Sequence, residues 1–141
     1  MGKALARREA GTGSHLIRGA AILHVALGLG FGIGAAIALD HRRRAGELPM
    51  TPWGFRALGG GPFDDLTPEQ FSVLGSALFG VCVINVVAGV WLWQGRRRGA
   101  VLALANSPLA LALGAGFALP LLLAGMPIGV ALVVAGRRSL R

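Results

Sequence analysis

The chain has 141 residues, 54% of them hydrophobic and only 14% charged, with a mean hydropathy of +0.64, a balance that excludes an ordinary water-soluble domain. Fourteen Lys and Arg against six acids give a formal charge of +8, but the basic residues gather at the ends of apolar runs and so read as membrane-orientation signals, not as a nucleic-acid surface. A single cysteine, Cys82, leaves no internal disulfide, CxxC redox pair or thiolate zinc site.

The first tail carries Lys3, Arg7, Arg8 and Arg18 against Glu9. Residues 19–39 follow without a formal charge apart from a possible proton on His24, and the run is long enough to cross about 30 Å of hydrocarbon as a helix. Ala36-Ile37-Ala38 resembles a cleavage site, but the run is too long and too glycine-rich for a signal-peptide h-region of about 7 to 15 residues. A retained first helix is expected.

Residues 40–70 read as a loop. Its run His41-Arg42-Arg43-Arg44 is a candidate contact for an anionic headgroup through Arg42, Arg43 and Arg44, with a solvated cluster as the plainer reading. Trp53, Phe55 and Phe63 lie in a Gly- and Pro-rich stretch expected at the outer membrane interface. Thr67-Pro68-Glu69-Gln70 reads as a helix start, with Thr67 as N-cap, Pro68 at the first helical position and Gln70 closing a capping box. Asp64, Asp65 and Glu69 then lie near the positive end of the helix dipole as capping acids, and their spacing matches no calcium loop.

Residues 71–93 form the second expected span, closed by Trp91 and Trp93 as an interfacial belt. The stretch 100–136 is too long for one crossing and is divided by Gly116 and Pro120 into spans of about 100–116 and 119–136. Ser107-Pro108 is expected to kink the third helix. Arg96, Arg97 and Arg98 before this stretch and Arg137, Arg138 and Arg141 after it require an even number of crossings to share one side. The fold class is therefore all-α, a polytopic membrane protein of four transmembrane helices in one small bundle. Both termini are expected in the cytoplasm, with the first loop outside.

Within the spans, His24, Asn85 and Asn106 are the main polar side chains. At 1.5 Å per residue each lies roughly 8 to 13 Å from the cytoplasmic edge, so they share a layer. Each also sits on a stripe of small residues at four-residue spacing, such as Ala20, His24, Gly28, Gly32 and Ala36, which points the polar groups at one another. Two readings stay open: a polar path centred on His24, or hydrogen-bonded glue between helices. Ser72, Ser76 and Gly80, with Gly125 and Gly129, offer further packing surface that a homo-oligomer or a partner membrane subunit would use.

No catalytic signature is present. The small multidrug exporters have a similar size and span count, but they work through a carboxylate in the first helix, and residues 19–39 hold none. A haem between two imidazoles needs facing helices, whereas His15, His24 and His41 all lie in or beside the first segment. No cofactor or metal is expected, and the bilayer is the expected partner. The segments Trp91-Leu92-Trp93-Gln94-Gly95-Arg96-Arg97-Arg98-Gly99-Ala100 and Gly116-Phe117-Ala118-Leu119-Pro120 resemble those of uncharacterised small bacterial four-helix integral membrane proteins. That resemblance implies only a membrane location. With no catalytic signature, the expected function is a non-enzymatic accessory or structural subunit of the cell membrane, with an oligomeric transporter or channel using the His24 layer as the alternative.

Overall fold

A computed structural model describes residues 2–50, 52, 54, 56 and 58–140, with side chains from residue 13 onward. Trp53, Phe55 and Arg141 lie outside the described residues, as do the side chains of Lys3, Arg7, Arg8 and Glu9. Four α-helices account for most of the chain: α1 (Gly2–Ala45), α2 (Pro68–Trp93), α3 (Arg97–Gly116) and α4 (Pro120–Gly136), with a short 3-10 turn at Arg137–Ser139. Each is long and apolar enough to cross a membrane, α4 when taken together with the 3-10 turn, and the shortest spans have 20 residues, or about 30 Å.

The helices form a ring in which α1 packs on α2 and α4, and α3 closes the ring between them. Neighbours run antiparallel, as paired contacts show. Glycines 13, 125, 129 and 136 set Gly13 beside Ser139, Ile17 beside Gly136, His24 beside Gly129 and Leu27 beside Gly125 along the α1–α4 seam. Both chain ends and the α2–α3 connection therefore share one end of the bundle, the terminal face. The α1–α2 loop and the α3–α4 turn share the other, the loop face.

Two apolar clusters fill the ring. One, toward the loop face, includes Leu27, Ala35, Leu78, Val81, Leu113, Phe117, Leu122 and Met126. The other, toward the terminal face, includes Ile17, Ala21, Ala88, Leu92, Ala103 and Val133. Outside, large apolar side chains on all four helices stand exposed, among them Ile22, Ile37, Val73, Val101, Leu121 and Ile128. An exterior this apolar is the surface of a protein solvated by lipid.

The first helix extends well beyond the 19–39 segment. At 44 residues α1 is about 66 Å long, twice the hydrocarbon thickness, so both ends stand outside it. The run His41–Arg44 is accordingly its last turn, not loop. Basic side chains suit that position against the helix dipole, and the helix stops at Gly46, whose φ of +73° lets its N–H return to the Arg42 carbonyl at 3.0 Å. Pro108 sits inside a helix assigned continuously over Arg97–Gly116, with the Ser107 hydroxyl bonded to the Ala103 carbonyl at 2.6 Å.

The loop between α1 and α2 folds onto the bundle. Arg56 ties it together, its guanidinium donating to the carbonyls of Asp64 and Leu66 and standing 5.8 Å over the Phe71 ring. Phe63, expected at the interface, is half-buried against the α3–α4 turn at the loop face: its N–H donates to the Gly116 carbonyl at 3.0 Å and its ring meets Phe117 edge-on at 5.1 Å. Only a glycine at 116 leaves room for that ring. The capping box forms as the spacing predicts, with the Gln70 N–H on the Thr67 hydroxyl and the Thr67 N–H on the Gln70 side chain.

Candidate functional site

The polar layer, His24 on α1, Asn85 on α2 and Asn106 on α3, lies between the two apolar clusters, with Gly129 of α4 against His24. On α2 and α3, Asn85 and Asn106 lie one above a turn of small residues that brings the backbones close. Gly99 at the start of α3 sits against the backbone of Ala88 and Leu92, leaving no room for a side chain. At that separation the Asn106 carboxamide reaches across and donates to the Asn85 side-chain oxygen and to the Val81 carbonyl, each at 3.0 Å. Because a backbone carbonyl can only accept, this fixes which end of the Asn106 amide faces α2. Asn85 in turn directs its amide to the Met126 thioether on α4 at 3.7 Å, a weak acceptor placed across the ring. The chain of contacts runs α3 to α2 to α4, wholly buried.

His24 lies at the same level on α1 and is equally buried, with 1% of its surface exposed. Its ring rests on Gly129 of α4 so closely that a β-carbon there would stand 2.7 Å from Cε1. Nδ1 is 2.9 Å from the Ala20 carbonyl, which can only accept, so Nδ1 carries the donated proton. Nε2 is buried and has no hydrogen-bond partner among the described residues.

The small-residue positions divide by environment. Gly28 and Gly32 pack on Cys82 and Val86 of α2, while Gly125 and Gly129 receive Leu27 and His24 of α1. A β-carbon at Gly80 would meet nothing within 4 Å, and Ser72 and Ser76 bond to carbonyls of their own helix, Pro68 and Ser72. That stripe is turned away from the interior. Arg42, Arg43 and Arg44 do not converge: Arg44 pairs with Asp40 at 3.0 Å in an exposed i, i+4 bridge, Arg43 is exposed, and Arg42 is half-buried.

Met126 and the Val81 carbonyl were not readable as partners of the two asparagines. Neither residue type carries a polar flag in an apolar run, and only the ring order of the helices brings them into reach. Among the described residues no group of three His, Cys, Asp or Glu side chains is placed to hold a metal ion.

Charge is divided between the two faces. All five acids with described side chains, Asp40, Glu47, Asp64, Asp65 and Glu69, belong to the loop face, whereas Arg18, Arg96, Arg97, Arg98, Arg137 and Arg138 gather at the terminal face. Arg18 and Trp93 stack there, the guanidinium carbon 5.7 Å from the ring centre. No family model, curated protein or solved structure matches the chain.

Proposed function

We propose that this is a non-enzymatic subunit of a bacterial cell membrane, a four-helix bundle whose interior holds itself together and whose exterior meets another membrane protein. The observation that carries the reading is the engagement of the asparagine amides. Asn106 spends both amide hydrogens on α2, and Asn85 links α2 to α4, so the layer acts as a clamp between helices. In lipid, such bonds hold helices together because no water competes for the groups. The outward stripe of Ser72, Ser76 and Gly80 provides a surface on which a second helix can approach closely. Arginines concentrated at the terminal face support a cytoplasmic position for that face and both termini.

A second reading, an oligomeric transporter or channel, draws support from one atom, the buried and unpartnered Nε2 of His24, since ionisable groups inside membrane proteins mark ion routes. The test is native mass spectrometry of the protein extracted in mild detergent at its natural expression level. The subunit reading expects a foreign membrane protein at fixed stoichiometry, lost when Gly80 is replaced by Leu. A homo-oligomer free of other chains, unchanged by that replacement, contradicts it and favours the transporter.

A further inference from the structure

We infer that the terminal face carries a binding site for one anionic phospholipid, formed by a polar cavity that opens onto an apolar groove. The cavity, of about 300 Å³, is enclosed by α1, the end of α2 and the 3-10 turn, and its polar lining comes from Ser14, Arg18, Gln94 and Ser139. The groove, of about 370 Å³, runs between α1 and α2 along Ala21, Ile22, Val25, Ala26, Gly89 and Val90. Trp93 and Gln94 line both spaces, so the two adjoin. The arrangement matches an amphiphile: a headgroup at the membrane boundary and an acyl chain directed toward the bilayer centre.

Charge selects the headgroup. Arg18 lines the cavity and is oriented by its stacking on Trp93. Arg97 borders it, its Nε donating to the carbonyl of the lining residue Leu140 at 3.4 Å, and Arg96, Arg98, Arg137 and Arg138 belong to the same face, all exposed. No carboxylate among the described side chains stands at this face. A guanidinium fork binds phosphate in two parallel hydrogen bonds, and such a setting disfavours a headgroup that brings its own cation. Close approach of the backbones at Gly89 shapes the groove floor, since a β-carbon there would lie 2.8 Å from the Ala21 carbonyl. What remains above it is open to the lipid.

The experiment is a titration of delipidated protein in mild detergent, read by native mass spectrometry, with dioleoyl phosphatidylglycerol, dioleoyl phosphatidylcholine and inorganic phosphate as probes. Phosphatidylglycerol is expected to give a single 1:1 adduct at least tenfold tighter than phosphatidylcholine, and inorganic phosphate a far weaker one. Arg18→Gln should bring the two lipids level, Arg18→Lys should keep most of the preference, and Glu47→Gln, a charge change at the opposite face, should change nothing. Ala26→Phe, which fills the groove without touching the charge, should weaken phosphatidylglycerol as well, and serves alone if Arg18→Gln does not fold. Equal binding of the two lipids by the unmodified protein overturns the proposal. So does inorganic phosphate binding as tightly as phosphatidylglycerol, or indifference of a folded Arg18→Gln or Ala26→Phe variant.

Discussion

Replacing Gly28 by Ala separates packing from propensity when it is set beside the same change at Gly80. A β-carbon at position 28 lies 2.7 Å from the Cys82 carbonyl oxygen, 2.8 Å from Val86 Cγ2 and 3.1 Å from the Val86 nitrogen. Two of these are backbone atoms and cannot rotate aside, so α1 and α2 must part by about 0.7 Å to restore the 3.4 Å of ordinary contact. Overpacking of this kind costs about 1–3 kcal/mol. Alanine also returns about 1 kcal/mol of helix propensity, but it does so equally at Gly80, where the new methyl meets nothing within 4 Å. The propensity gain cancels between the two variants, and Gly28→Ala should be less stable than Gly80→Ala by about 1–3 kcal/mol. Reversible unfolding in mixed micelles of mild detergent and dodecyl sulfate, followed by helical circular dichroism, reads that difference. Equal stabilities would show that the helices do not meet at Gly28, and the α1–α2 seam would have to be redrawn.

Two further outcomes follow from named contacts. A double-mutant cycle of Asn85→Ala and Asn106→Ala, measured by the same unfolding, should give a coupling of about 0.6–1.7 kcal/mol, the range of hydrogen bonds between membrane helices; strictly additive losses would deny the bond. Ala118 holds a φ of +50° at the end of α3, where the Leu119 N–H returns to Gly114 and the Ala118 N–H to Ala115. That position suits glycine. Ala118→Gly relieves about 1–2 kcal/mol of left-handed strain against about 0.5–1 kcal/mol of added freedom in the unfolded chain, so its unfolding midpoint should rise slightly; a fall would show that the alanine methyl contributes more by packing on the loop than its backbone costs.

Local chemistry was readable in the chain and long-range docking was not. The capping box at Thr67–Gln70 involves four consecutive residues and forms as its spacing requires. The four spans were readable because hydrocarbon thickness sets a length that composition reports directly. The same reasoning hides the true length of α1: hydropathy marks where a helix crosses lipid, whereas its ends are set by Gly46 and by charged residues that favour the helical state in water. The burial of His24, Asn85 and Asn106 could be read from their four-residue spacing with small neighbours. Their partners could not, because Met126 and Gly129 become neighbours of Asn85 and His24 only when α4 closes the ring. Phe63 shows the same limit. Its composition suits an interfacial anchor, and the space that admits it is created 53 residues later by Gly116.

Ion flux tests the central claim, a bundle closed by its own polar layer, most directly. Purified protein is reconstituted in liposomes carrying a pH-sensitive dye, and an imposed proton gradient is followed for wild type, His24→Ala and empty liposomes. The account predicts that all three decay at one rate, while Asn106→Ala lowers the stability of the bundle without opening it. A wild-type leak above that of empty liposomes, abolished by His24→Ala in protein that still folds, would contradict the account and make the His24 layer a path.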